Sequence, residues 1–353
     1  MSRESIRERV FRERLLVHHR ARSHFRFWNE SKTKTLDTNT NTISDINGNN
    51  FEEKNKRREI GEERAGDIYI SKKNMNKMVN TAPIGAETAT TKKGVDPKQV
   101  PVIVMYSVGK AEEAIREREY AKAKKMMEST DALCSRYGAP PPVHGLALRI
   151  LADACEQGAR SEGTSEEEKI KGINEAKKCL RKGLSLCEPH FGAKGLPPTL
   201  ERDLNGRAGD LHAALGELHR NEGEFIEALQ NFREAVKKFG KLESKDLCAA
   251  SVNRMAYTFI NMKQWDDALK ELKYNEELGP ILDSRSEILS TTYNFKGECL
   301  VNIGGKDDEA KKAYTEALKH ALACGHESVR EQASAYLDTH GGAGEDVAPD
   351  AYI

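Results

Sequence analysis

Residues that could act in catalysis or metal binding are scattered along this chain rather than grouped in a motif. The sequence contains no P-loop, no zinc-binding H-E-x-x-H and no nucleophile elbow G-x-S-x-G. The stretch Gly192–Gly195 has the glycines of a phosphate-binding loop, but it lacks the preceding strand and the following Lys-Ser or Lys-Thr. The ten histidines are dispersed, and no pair of carboxylates stands out from the general scatter of charge. The sequence therefore predicts a protein that is not an enzyme and that uses no cofactor or metal.

The seven cysteines, which run from Cys134 to Cys324, also lack the spacing of a metal site or a disulfide framework. Four of them lie among helical apolar residues, where a thiol packs as a small hydrophobic group: Cys155, Cys179, Cys248 and Cys299. An odd number of cysteines without a pairing pattern is typical of a reducing compartment. We therefore expect a cytoplasmic protein.

Charge and hydropathy restrict the class of partner. The chain has 56 basic and 56 acidic residues, but residues 1–100 contain 21 Lys/Arg against 14 Asp/Glu, and the remainder contains 35 against 42. Residues 101–353 are therefore weakly acidic, which gives no electrostatic reason to expect nucleic-acid binding. No stretch approaches the roughly 20 apolar residues of a membrane span. The expected partner is a protein or peptide, and not a nucleic acid, a membrane or a small-molecule substrate.

The N-terminal stretch is basic and amphipathic, and two interpretations stay open. It has the character of a transit peptide, although Glu4, Glu8 and Glu13 count against this because such peptides are poor in acids. Its alternating Arg and Glu are also typical of a short solvated helix.

The following residues, from about 29 to 101, are mostly polar or charged. Such a segment cannot bury enough apolar surface to offset the entropy lost on ordering. We therefore predict a disordered arm and linker over residues 1–101, a helical repeat domain over 102–340 and a disordered tail over 341–353. A further hypothesis is that translation starts at Met75 or Met78.

From Val102 onward, apolar and small residues recur at spacings of three and four, and short breaks of Gly, Pro or Asn separate the runs. Two of these segments resemble each other. In both, a small residue (Gly216 or Ala256) precedes an alanine (Ala228 or Ala268) by twelve positions. Two antiparallel helices can approach closely only where one of them presents Gly or Ala. We therefore predict helical hairpins in which Gly216 packs against Ala228, and Ala256 against Ala268.

This pattern resembles the tetratricopeptide repeat (TPR), in which a large residue precedes a small one in the first helix and an alanine marks the second. Five marker alanines can be matched, with spacings of 53, 52, 40 and 42 residues: Ala123, Ala176, Ala228, Ala268 and Ala310. The common repeat has about 34 residues, so the later spacings are similar to the long repeats of kinesin light chains and Pins-type adaptors. The resemblance implies an all-α, right-handed superhelical solenoid of about five hairpins, preceded by the disordered arm.

Three details of the repeats are also predicted. One long first helix should run from Thr199 to His219 after Pro197-Pro198. Extra residues at Gly158–Lys169 should widen the turn of the second hairpin. Glu327–Leu337 should form a C-terminal capping helix whose charges cover the exposed end of the array.

In the TPR architecture, the first helices line a concave groove that holds the partner. Matching the repeats predicts these groove residues: Arg149, Glu217, Asn253, Arg254, Tyr257, Asn261, Asn294, Glu298 and Asn302. An amide side chain offers a donor and an acceptor to the backbone of a bound peptide. We expect Asn253 and Asn294 on the open face, so that their replacement should leave stability unchanged. The alternative for these two residues is a structural, capping role.

For three asparagines near helix ends there is an alternative, since Asn tolerates the left-handed conformation of a helix C-cap: Asn221, Asn261 and Asn302.

The function implied by the resemblance is that of a non-enzymatic adaptor that binds a partner protein. One alternative is a co-chaperone that grips the acidic tails of heat-shock chaperones with a clamp of Lys, Asn and Arg. Here the clamp-like positions hold Asp210, Ala213, Ala214 and Glu217, and only Asn253 and Arg254 match. Acidic groups in such a groove would repel a carboxylate. Another alternative, an enzyme with accompanying repeats, lacks a segment for its catalytic core, because residues 1–100 are so polar.

Overall fold

The structure, a computed structural model, describes residues 95–340. Within these residues the backbone forms eleven α-helices and no strand. The helices are α1 Val100–Arg116, α2 Tyr120–Tyr137, α3 Pro141–Ala159, α4 Glu166–Cys187, α5 Pro198–Asn221, α6 Phe225–Gly240, α7 Lys245–Asn261, α8 Trp265–Leu278, α9 Arg285–Ile303, α10 Asp307–Cys324 and α11 Glu327–His340.

Consecutive helices pair as five antiparallel hairpins, from α1–α2 to α9–α10, and α11 packs on the last of them. Four of the hairpins turn through three residues, of which the middle one has a positive φ: Arg118, Gly223, Lys263 and Gly305. The prediction of an all-α array of five TPR-like hairpins with a terminal capping helix is confirmed. The predicted long first helix is α5, which begins at Pro198, where a proline fits because the first turn needs no N–H partner.

The marker alanines lie where the hairpins are most tightly packed. All five have no solvent exposure. Because alanine has the smallest side chain above glycine, it lets the second helix approach the first without a gap. The five alanines therefore mark five equivalent positions, as the repeat pattern predicted.

The contact made by the small residue of the first helix differs from our prediction. A Cβ on Gly216 would lie 2.7 Å from the ring of Phe232, so Gly216 packs against this ring rather than against Ala228. Gly297 meets the ring of Tyr314 in the same way, again at 2.7 Å. The prediction placed the close approach one turn too early in the second helix, because it considered only small residues and not the large ring that needs the space.

The second hairpin accommodates its extra residues mainly by lengthening its helices. Only residues 160–165 lie between α3 and α4, so most of the predicted wide turn at Gly158–Lys169 is helical. Ser165 caps α4 through a reciprocal pair of hydrogen bonds with Glu168. A Cβ on Gly172 would lie 2.6 Å from that of Ala159, so the two helices remain in close contact.

The repeat domain begins slightly before the predicted boundary. A 3-10 turn covers Pro97–Gln99, and α1 starts at Val100, whose side chain is buried. Pro101 falls in the first turn of this helix, where proline is tolerated. The other predictions for the arm, the targeting peptide, the start at Met75 or Met78 and the tail lie outside the described residues.

The hairpins have two different faces. Successive first helices (α1, α3, α5, α7 and α9) lie against one another, whereas successive second helices (α2, α4, α6, α8 and α10) are farther apart. Long charged side chains bridge some of the second helices: Lys124 Nζ lies 2.5 Å from Glu175, and Lys182 Nζ lies 2.7 Å from Asp131. The side of the array formed by the first helices, here called the first-helix face, is therefore the inner side.

A half-buried histidine, His212 of α5, should make stability depend on pH. Burial lowers the pKa of His212, whose Nδ1 lies 3.1 Å from Asn231 Oδ1. Below about pH 6.5 the unfolded chain binds a proton that folded His212 resists, so the free energy of unfolding should fall as the pH decreases. In urea denaturation at pH 7.5 and 5.5, His212→Gln should lose less stability on acidification than the parent protein. An unchanged pH dependence in His212→Gln would contradict the prediction.

Candidate functional site

The first-helix face carries a connected group of charged and aromatic side chains. Glu217 of α5 is at its centre, because its carboxylate pairs with Arg220 of the same helix and with Nε of Arg254 of α7 at 3.0 Å. The guanidinium of Arg220 lies 4.8 Å from the ring centroid of Tyr257. Tyr257 stacks on Phe295 of α9, with a centroid distance of 5.2 Å. This group therefore links three successive first helices.

A second set of ion pairs extends the group toward the N-terminus of the array. Arg149 of α3 pairs with Asp153, one turn further along the same helix, and its Nε lies 3.8 Å from Asp210 of α5. Arg207 Nη1 donates to the other oxygen of Asp210 at 2.7 Å. The predicted site residues Arg149, Glu217, Arg254 and Tyr257 thus lie on first helices, in two sets of contacts that both include α5 and that use side chains the prediction did not include.

The repeat register contained a signal for one of the missed residues, Asp153. Asp153, Glu217, Tyr257 and Glu298 each follow directly after the small residue of a first helix. We predicted the last three but not Asp153, because its repeat was the one with the longest insertion. The roles of Arg220 and Phe295 could not be found in this way, since both side chains are almost fully buried and act through their neighbours.

The structure corrects the placement of Asn253. Its side chain is 7% exposed, and its Nδ2 donates to the carbonyl oxygen of Ile288 in α9 at 3.1 Å. Its Oδ1 accepts hydrogen bonds from Asn275 Nδ2 at 2.8 Å and from Thr292 Oγ1 at 2.9 Å. Asn253 therefore joins the fourth hairpin to the fifth instead of lying open on the groove, and this geometry favours a loss of stability on its replacement over the unchanged stability that we expected.

Asn294 is also buried, with 2% exposure. Its Nδ2 donates to Gln332 Oε1 of α11 at 2.9 Å. The physical reason is the same for both asparagines: each side chain points along the array toward the next helix, which the repeat register alone did not reveal. The capping helix covers the last first helix at this position.

The three asparagines near helix ends do not act as left-handed C-caps. The residues with a left-handed backbone are Gly223 and Lys263, each two positions after the asparagine that ends the helix. Asn302 uses its Nδ2 to donate to the carbonyl oxygen of Glu298 in the preceding turn at 2.8 Å. Asn261 and Asn302 are exposed and Glu298 is half-buried, so these three predicted residues remain accessible.

The two faces of the array differ in their cations. The first helices contain seven Arg and three Lys, whereas the second helices contain three Arg and fifteen Lys. Arginine forms planar, multidentate ion pairs and stacks on aromatic rings, whereas lysine is a flexible and strongly hydrated point charge. Protein interfaces are enriched in Arg and Tyr and depleted in Lys. The first-helix face therefore has the composition of an interface, and the other face that of a solvated surface.

The buried thiols are poor candidates for nucleophiles. Burial raises the pKa of Cys134, Cys155 and Cys299 to about 12, so these thiols stay protonated at neutral pH. In the part of the chain that the structure describes, no three His, Cys, Asp or Glu side chains are grouped to hold a metal ion. None of the helices described between residues 95 and 340 is long and apolar enough to cross a membrane.

No protein-family model and no curated protein matches the chain. Among solved structures, it is similar to a kinesin light chain-like protein of Podosopora anserina with nearly identical TPR-like repeats, at 14% identity and a TM-score of 0.44, over 69% of this chain and 99% of that one. It is also similar to the MamA protein, at 15% identity and a TM-score of 0.39, over 64% and 93% of the two chains. The TPR2AB domain of yeast Sti1, in a complex with pHSP90, has 11% identity and a TM-score of 0.32, over 70% and 91%. In its hairpin packing, the chain is similar to the tetratricopeptide-repeat proteins that its residue pattern resembles.

Proposed function

We propose that this chain is a non-enzymatic scaffold that binds a segment of a partner protein along its first-helix face. The observation that supports the proposal is the contrast between the faces: arginines, carboxylates and a tyrosine are joined across α3, α5, α7 and α9, while lysines occupy the other side. Side chains that are held by their neighbours lose little entropy when a partner binds. The first-helix face is therefore suited to recognition.

Each part of the connected group has a role in this proposal. Tyr257 supplies amphipathic contact area, and Phe295 holds its ring in place. Glu217 holds the almost fully buried Arg220 beside the Tyr257 ring, and it positions Arg254, whose remaining N–H groups can donate to a partner's carbonyl oxygens. Three predicted residues flank the group and add polar contacts: Asn261, Glu298 and Asn302. Asn253 and Asn294 act indirectly, by holding the neighbouring helices together.

The geometry does not favour the co-chaperone alternative. A clamp for a terminal carboxylate needs cations that are available to it, but Arg254 pairs with Glu217, and Asn253 is engaged inside the array. A cytoplasmic location remains part of the proposal, in keeping with seven free cysteines.

Site-specific photo-crosslinking tests the proposal with a matched pair of tyrosines. Benzoylphenylalanine replaces Tyr257 on the first-helix face in one chain and Tyr274, which is 43% exposed on the second helix α8, in the other. Both full-length chains are irradiated in cell extract, and the crosslinked proteins are identified by mass spectrometry. We expect specific crosslinks from position 257 and few from position 274.

Crosslinks from position 274 with none from 257 would place the binding surface on the wrong side for this proposal. An acidic chaperone-tail peptide serves as the second arm. Competition by this peptide with the crosslinks at 257 would favour the co-chaperone alternative over an adaptor for another partner.

A further inference from the structure

One edge of the array is strongly basic. Residues 178–197 and 233–245, here called the basic edge, contain nine Lys or Arg and three acids. The cations are Lys178, Arg181, Lys182, Lys194, Arg233, Lys237, Lys238, Lys241 and Lys245. All of them are exposed except Lys238, which is half-buried. Residues 101–353 as a whole are acidic, so this concentration of positive charge is local.

The two parts of the basic edge meet at the loop that follows α4. Lys238 of α6 lies over the ring of Phe191, in the loop after α4, with its Nζ 3.3 Å from the ring centroid. Burial lowers the pKa of Lys238, and the nearby charge of Lys241 adds to this effect. Lysines in the last turn of a helix stabilise its dipole, but Lys178 and Arg181 are more than one turn from the end of α4.

Little of this charge is neutralised inside the array. Lys182 pairs with Asp131, and Lys237 with Glu234. Among the described residues, no ion pair involves Lys178, Arg181, Lys194 or Lys241. These four side chains can therefore attract an external anionic surface.

The composition of the edge distinguishes between classes of partner. Protein interfaces are poor in lysine, yet seven of the nine cations are lysines. Single-stranded nucleic acids stack their bases on exposed aromatic rings, but the ring of Phe191 is covered by Lys238. Binding to an anionic bilayer requires neither the apolar core of a protein interface nor aromatic rings for base stacking. Clusters of four to eight Lys or Arg attract the lipid headgroups as point charges.

We propose that the basic edge binds the surface of an anionic phospholipid bilayer, leaving the first-helix face open for a partner protein. Binding to a bilayer surface requires no membrane-spanning segment. It is therefore compatible with a sequence in which no stretch approaches the roughly 20 apolar residues of a membrane span. The basic edge and the first-helix face are formed by different residues, and either proposal can fail without the other.

The test is vesicle sedimentation with two matched variants of the full-length chain. Lys178→Gln with Arg181→Gln removes two cations from the basic edge. Lys270→Gln with Lys273→Gln removes two from α8, where both side chains are about three-quarters exposed. The two variants have the same net charge, and neither alters a buried contact. Equal melting temperatures of both variants and the parent verify that the fold is intact.

The N-terminal stretch must not mask the result, since residues 1–28 contain eight Arg and three Glu. The parent used in this test and both variants therefore carry five Arg→Gln replacements that make this stretch neutral: Arg7, Arg9, Arg12, Arg14 and Arg20. Binding is measured to vesicles of phosphatidylcholine alone and to vesicles that also contain phosphatidylserine, each at low and high salt.

We expect binding only to the vesicles with phosphatidylserine, and weaker binding at high salt. The edge variant should bind about 30-fold more weakly than the parent, and the α8 variant within about 2-fold of it. Equal losses in the two variants, or no binding by the parent, would overturn the proposal. So would tighter binding to a single-stranded RNA or to poly-glutamate than to the vesicles, since either result would assign the edge to another class of partner.

Discussion

Replacing Gly216 with alanine is expected to lower the free energy of unfolding by about 1–3 kcal/mol, the usual cost of overpacking a core. A Cβ at this position would lie 2.7 Å from the Phe232 ring, which is itself fully buried and has no room to move away. The first and second helices of the third hairpin would have to separate. Thermal or urea denaturation of the variant measures the effect.

A second glycine provides the control. Gly109 lies inside α1, and a Cβ there would meet no atom within 4 Å. Gly109→Ala should therefore stabilise the protein by roughly 0.5–1 kcal/mol, because alanine is the better helix former. Adding Phe232→Leu to Gly216→Ala should recover part of the lost stability, since the natural pair Ala256 and Leu272 has the same spacing and both residues are fully buried. Equal effects of the two Gly→Ala changes would contradict the packing described here.

Replacing Asn253 with alanine should also destabilise the protein, by about 1–3 kcal/mol, because several buried polar groups each lose a hydrogen bond. The carbonyl of Ile288 would lose one of its two side-chain donors, and the side chains of Asn275 and Thr292 would each lose one of their acceptors. These groups are inside the array, where water cannot replace the missing bonds. The loss should appear as a lower midpoint in urea denaturation.

Asn302→Ala is the matched control for this prediction. Asn302 is exposed, and its hydrogen bond runs only to the preceding turn of its own helix. Its replacement should change stability by no more than about 0.5 kcal/mol, as is usual for surface positions. If both variants melted like the parent, water would have to replace the hydrogen bonds of Asn253. The expectation that Asn253 lies open on the groove would then stand.

Much of the fold follows from the sequence because repeat proteins are built from local contacts. Each hairpin packs mainly with its immediate neighbours, so the spacing of Gly216, Ala228, Ala256 and Ala268 was enough to predict the pairing of helices. The predicted insertion at Gly158–Lys169 was found, but the sequence did not show that most of it would lengthen helices. Helix length at this point depends on the close contact of Gly172 with Ala159 across the hairpin.

The candidate site was predicted only in part. The repeat register placed Arg149, Glu217, Arg254 and Tyr257 together, because equivalent positions on successive first helices share a face, and in the structure all four contact residues of neighbouring first helices. It did not separate them from Asn253 and Asn294, since a residue at the border of the face can turn toward the groove or toward the next helix. The acceptors and donors offered by that next helix decide between the two.

The sequence by itself determined that this chain folds into helical hairpins and which alanines lie between them, because helix periodicity and close packing are properties of short segments. The tertiary structure alone decided which polar residues are buried, which ring fills the space above each glycine, and that Lys238 meets Phe191 at the basic edge. Contacts between residues far apart in sequence depend on how successive hairpins stack. A small change in that stacking moves a side chain from solvent to the interior.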